Sequence, residues 1–240
     1  MELSIIRMTP DGKSAIVVLG GFLSQASFYS GFSSALESFS GKEVFLVDTR
    51  VLDWLPSVSK QGWSLVLNKL DFTVKKALKQ SGDRRLTLIG HSQGGILARL
   101  YLSDAPLLGS SYYGLDYIDH LITLGSPHKN QGGIQRGGHM SRWVQQYVPD
   151  AAFAPEVRYT SVAGKYTRGD LTGSLLERFA FRSYKEICTD GAVWGDGIVP
   201  VDSALLPNSE QIVLEGVSHH SVIGKPWYGN ASVLPLWWRP

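Results

Sequence analysis

The chain is short of most features that mark a specialised class. It has one cysteine in 240 residues, Cys188. That excludes an internal disulfide and any cysteine-built metal cluster, and leaves Cys188 best read as a small buried apolar side chain. Charged residues make up 18% of the chain, below the roughly 25% of an average soluble domain. Lys and Arg (23) nearly balance Asp and Glu (21), and no basic stripe stands out, so no nucleic-acid partner is expected. A charge content this low beside 43% hydrophobic residues argues against disorder. The longest apolar stretch, Ala15 to Leu23, is far shorter than the ~20 residues of a membrane-spanning helix. The start, Met1-Glu2-Leu3-Ser4-Ile5-Ile6-Arg7, lacks the shape of a secretory signal. The expectation is a soluble cytoplasmic protein, with peripheral contact with a membrane left open. Repeats and low-complexity linkers are also missing, so residues 1–240 read as a single domain.

What is present is alternation. Short β-branched runs at Ala15–Leu19, Val44–Val47, Leu86–Ile89, Leu121–Leu124, Val157–Ala163 and Gln211–Leu214 read as buried strands. Between them lie helical patterns. Ser27–Phe39 carries Phe28, Phe32, Leu36 and Phe39 at spacings of three and four. Lys60–Gln80 puts Trp63, Val66, Leu67, Leu70, Val74, Ala77 and Leu78 on one face, with Gly82 placed to end the helix. Gly95–Ser103 turns Ile96, Leu97, Leu100 and Tyr101 inward. This order predicts an α/β fold: a mostly parallel, twisted sheet with helices on both faces. Residues 128–156 break the rhythm with Gly132-Gly133, Gly137-Gly138, Trp143, Pro149 and Pro155. They read either as a lid over a site or as a surface excursion.

One motif carries chemistry. Gly90-His91-Ser92-Gln93-Gly94 is G-x-S-x-G. In a chain with 26 glycines the pattern alone is weak, and its setting supplies the specificity. It follows the strand Leu86–Ile89 directly and opens the next helix, the strand–turn–helix context of a nucleophile elbow. The turn lifts a serine hydroxyl clear of the sheet, and the helix N-terminus behind it favours developing negative charge. A serine needs a base, and the base an orienting acid. Asp196, between Gly195 and Gly197, and His219, after the strand Gln211–Leu214, lie downstream in that order at strand ends. Asp170, Asp190 and Asp202 are rival acids, and His220 a rival base. Backbone N–H groups of Gln93 and of Phe22, with Leu23 second, are the expected oxyanion donors. His91, within the elbow, reads as a packing or hydrogen-bonding residue, and His120, His128 and His139 show no ligand spacing, so no metal is expected.

Gly90–Gly94, Leu124-Gly125-Ser126-Pro127-His128 and Gly195-Asp196-Gly197-Ile198-Val199-Pro200 together resemble the α/β-hydrolase superfamily, in its lipase–esterase branch. Ser183-Tyr184-Lys185-Glu186-Ile187-Cys188, Val193–Gly197, Leu214-Glu215-Gly216-Val217 and Pro226-Trp227-Tyr228-Gly229 are similar to lipase-like hydrolases of plants and cyanobacteria. The resemblance implies nucleophile Ser92, acid Asp196 and, as base, the histidine after Glu215-Gly216-Val217. The usual His-Gly before the oxyanion residue is Gly20-Gly21 here. The expected activity is hydrolysis of a small-molecule or lipid ester through an acyl-enzyme, without cofactor. An acyltransferase with the same triad, or a non-catalytic ligand-binding protein, are the alternatives. The aromatic tail Leu234-Pro235-Leu236-Trp237-Trp238 reads as an interfacial segment or as the inner face of a last helix.

Overall fold

The computed structural model describes residues 15–58, 60–105, 107, 110–132 and 138–239; Met1–Arg7 and residues 133–137 of the 128–156 segment lie outside these. Six strands form one parallel sheet in the order β2-β1-β3-β4-β5-β8. They are β1 (Ile16–Leu19), β2 (Val44–Leu46), β3 (Leu86–His91), β4 (Ile118–Leu124), β5 (Arg158–Lys165) and β8 (Glu210–Glu215). A two-residue pair, β6 (Thr167–Arg168) and β7 (Trp194–Gly195), is antiparallel. The helices are α1 (Ser30–Ser40), α2 (Lys60–Ser81), α3 (Gln93–Leu102), α4 (Gly138–Tyr147), α5 (Leu175–Cys188), α6 (Val201–Ala204) and α7 (Leu234–Trp237).

Strand alternation sorts the core into two layers. Val17, Leu19, Leu88 and Leu121 face α2, α3 and α4, whose Trp63, Leu67, Leu97, Met140 and Val144 bury against them. Ile16, Val18, Ile89 and Ile122 face the other way, toward Phe32 and Leu36 of α1 and Trp237 of α7. The chain steps from β1 outward to β2, then returns to β3 on the other side of β1. The connections leaving β1 and β3 therefore run to opposite faces and open a crevice at the carboxyl edge between them, the usual ligand position in open α/β sheets.

The parallel α/β fold and its six main strands agree with the sequence reading, and local departures have clear causes. A 3-10 turn, Ala26–Tyr29, precedes α1 and shifts its phase, so Tyr29, Phe32 and Leu36 are buried while Phe28 and Phe39 are 51% and 46% exposed. Within residues 128–156, Gly138–Tyr147 is a regular helix that seats Met140 and Val144 in the core beside α3. Helix α5 is not among the helices expected from the sequence, although Ser174 and Glu177 form a reciprocal capping box at its start. The tail is not interfacial: Leu234, Trp237 and Trp238 are buried, and Trp237 Nε1 donates to Tyr228 O at 3.0 Å. Cys188 is half-buried, and burial pushes its thiol up.

Two expectations follow from the core. Trp237 has no exposed surface, so Trp237→Ala should cost about 3–5 kcal/mol, read as a lowered urea midpoint. His120 Nε2 donates across β4–β5 to Thr160 Oγ1 at 3.0 Å, since that hydroxyl itself donates to Glu210 Oε2. Burial pulls His120 from 6.5 down to about 4. In that window the unfolded chain binds a proton that the folded chain refuses, so stability falls as pH drops from about 6.5 to about 4. Thermal unfolding of His120→Gln should show a shallower loss over that range than the unaltered protein; an identical slope contradicts the assignment.

Candidate active site

Ser92 stands at the step from β3 to α3 with φ 53° and ψ −128°. A non-glycine residue there carries strain of order 1–3 kcal/mol, held only by its surroundings. Ser92 N donates to Leu124 O at 2.8 Å, tying the turn to the end of β4. Gly94 lets α3 begin against the carbonyls of Leu19 and Gly20, where any β-carbon would collide. Gly21, at the end of β1, is equally constrained: a β-carbon there would lie 2.7 Å from Ser92 Cβ. Its glycine serves close approach to the serine, whereas the left-handed backbone of this loop falls on Leu23, φ 58°. Phe22 sets its ring edge against Trp54 at 6.3 Å. The loop carrying Phe22 thus meets the elbow that ends in Gln93, the arrangement expected of two backbone donors.

Asp196 and His219 come together across the loops that follow β7 and β8. His219 Nδ1 and Asp196 Oδ2 are 2.7 Å apart, and His219 N donates to Asp196 O at 2.8 Å. A carboxylate only accepts, so Nδ1 carries a proton, which in the neutral ring leaves the lone pair on Nε2. Asp196 is also the turn residue its glycine neighbours suggest. Its Oδ1 accepts from Ile198 N at 3.0 Å and Val199 N at 2.8 Å, and Gly197 sits at φ 102°. Helix α5 braces this turn: Ser183 Oγ donates to Ile198 O at 2.8 Å, and Tyr184 OH accepts from Gly197 N at 2.8 Å.

The rivals are placed elsewhere. Asp170 Oδ1 accepts from Thr172 N and Asp190 Oδ1 from Ala192 N, each closing its own turn. Asp202 lies in the first turn of α6. His220 stacks on Trp227 at 4.9 Å, and its Nδ1 accepts from Val222 N at 3.3 Å. His128 pairs with Thr123 Oγ1 and stands beside the Arg99 guanidinium, and burial, then Arg99, pushes it well below the ordinary histidine range.

Two tyrosines complete the site that sequence reading left without roles. Tyr228 OH donates to Asp196 Oδ2 at 2.8 Å and accepts from Gly164 N at 2.7 Å. Burial and the neighbouring Asp196 both push its phenol well up. Tyr29 OH accepts from Gly21 N at 3.0 Å and lies 2.7 Å from His91 Nδ1. Neither has a local pattern: Tyr228 reaches Asp196 across 32 residues of chain, and Tyr29 reaches His91 across 62.

Comparison with known proteins places this arrangement. Among solved structures, the mature form of Bacillus licheniformis lipase BlEst2 is 18% identical with TM-score 0.66, covering 98% of this chain and 96% of that one. The product of Listeria innocua gene lin2722 is 14% identical with TM-score 0.53, over 89% of each chain. These likenesses establish the α/β-hydrolase fold. No curated protein sequence matches the chain. The family model described as palmitoyl protein thioesterase matches residues 15–174, two-thirds of the chain, including the Phe22 loop and the Ser92 elbow. The chain belongs to the palmitoyl protein thioesterase family.

Proposed function

We propose that this protein is a serine hydrolase that cleaves acyl esters, thioesters or oxyesters, through an acyl-enzyme on Ser92. The observation that carries the reading is the strained Ser92 elbow on the same sheet edge as the hydrogen-bonded Asp196–His219 pair. His219 Nε2 takes the proton from Ser92 Oγ as the oxygen attacks the acyl carbon. The oxyanion rests on the N–H groups of Phe22 and Gln93. His219 then protonates the leaving alcohol or thiol, and water repeats the sequence to release the acid. Asp196 fixes the imidazole tautomer and stabilises the imidazolium.

An apolar acyl group is the favoured cargo. Phe22 and Leu23 after β1, and Leu52 and Leu55 in the 3-10 turn Val51–Val58 after β2, are all exposed, and Phe22 bridges the two segments through Trp54. Within residues 128–156, helix α4 is assigned the role of a cover beside the site, tied to the elbow through Met140, whose Sδ accepts from Gln93 Nε2 at 2.9 Å. Peripheral contact with a lipid surface goes with the same exposed residues. Among the described residues no helix is long and apolar enough to cross a membrane.

Ser92→Ala should stay folded, lose fluorophosphonate labelling, and lose turnover on long-chain acyl thioesters and p-nitrophenyl esters by on the order of a million-fold. Unchanged turnover refutes the assignment, and turnover of short, soluble esters alone refutes the long acyl chain. Tyr228→Phe removes one donor from Asp196 and strands Gly164 N in the interior. It should lower stability by about 1–3 kcal/mol and reduce kcat, measured by urea unfolding and steady-state kinetics.

A further inference from the structure

The serine motif contains one residue that the proposed reaction does not use. His91, between Gly90 and Ser92, is 3% exposed, and its ring lies 4.7 Å from the His219 ring. Resting on the serine-hydrolase reading above, we propose that His91 and Tyr29 are positioning residues, which hold the oxyanion loop and the base loop in one register across the elbow.

The protons can be assigned one by one. His91 Nε2 is 3.0 Å from His219 O. A carbonyl only accepts, so Nε2 carries the proton. Burial, then the facing His219, pushes His91 well below the ordinary histidine range, so the ring is neutral and Nδ1 keeps a lone pair. Tyr29 OH, 2.7 Å away, therefore donates to Nδ1 and accepts from Gly21 N at 3.0 Å. The result is a one-way chain from Gly21 N–H through Tyr29 OH and His91 to His219 O. One end fixes the residue before Phe22, the expected oxyanion donor. The other fixes the peptide of the base, whose own N–H is held by Asp196 O at 2.8 Å. No partner in the chain is an exposed side chain free to relax. A slip of one loop against the other moves donor and base apart, and misplacements near 1 Å cost about a hundredfold in rate.

The test is a double-mutant cycle of Tyr29→Phe and His91→Leu, each with kcat and KM resolved on one acyl ester. Either change should lower kcat about tenfold to a hundredfold, with KM altered less than about twofold. The double variant should lose no more than the worse single one, because both cut the same chain. His91→Gln keeps a donor near the Nε2 position and His91→Asn an acceptor near Nδ1, so each should restore part of the loss. Additive losses, losses confined to KM, or a kcat within about twofold of the unaltered enzyme overturn the proposal. Should His91→Leu fail to fold, Tyr29→Phe decides alone by its own kcat and KM. Fluorophosphonate labelling of Ser92→Ala separates the two levels. Persistent labelling overturns the serine reading itself, whereas lost labelling beside an additive cycle overturns only the positioning role.

Discussion

Everything at the carboxyl edge depends on how closely helix α3 approaches the sheet. Its first residues pack against the backbone of β1 and β3, where Gly90 and Gly94 leave no room for a β-carbon, and against Ser126 just past β4, where Gly95 leaves none. That contact is why Ser92 holds a backbone conformation that a serine avoids. The strain persists because β4, through Leu124 O, and the β1 loop, through Gly21, close on the turn from both sides. Hydrophobic burial in the two core layers supplies the stabilisation from which a local cost of this size is met.

Asp196 shows the same economy in a polar setting. One carboxylate oxygen closes its own turn on two backbone N–H groups, and the other receives His219 and Tyr228. A buried acid is tolerable when its lone pairs are filled. The four donors come from three separate stretches of chain, so the acid cannot move without breaking contacts in all of them. Helix α5 adds a floor under the turn through Ser183 and Tyr184.

How much of this was legible in the sequence depends on range. The strands and the long helix α2 were readable because burial repeats at a short, regular period, and each such segment states its own partner face. Ser92, Asp196 and His219 were legible as candidates because the elbow has a fixed local form and because strand ends say where side chains project. The choice of His219 over His220 was only a preference in the sequence. It is decided by which ring faces Asp196, a contact across 23 residues. At Gly21 the glycine answers to the close approach of Ser92, a tertiary fact that no local pattern shows. The contacts of Tyr29, Tyr184 and Tyr228 were hidden for the same cause, although Tyr184 and Tyr228 lie in the segments that carry the resemblance: a tyrosine hydroxyl leaves no periodic trace of the group it reaches. Helix α5 is the exception, because its Ser174–Glu177 capping box was in plain view.

The order of the parts along the chain has a further consequence. The elbow is complete by Gly95, yet the proposed base lies at His219, the tyrosine that donates to Asp196 at Tyr228, and the tryptophan under that tyrosine at Trp237. A growing chain on the ribosome therefore exposes its serine long before anything can activate it. On the proposed mechanism, a nascent chain is chemically inert toward acyl groups until synthesis passes the edge strand β8. The last segments to emerge then close the second core layer and complete the hydrogen bonds around Asp196, so activity and finished packing arrive together.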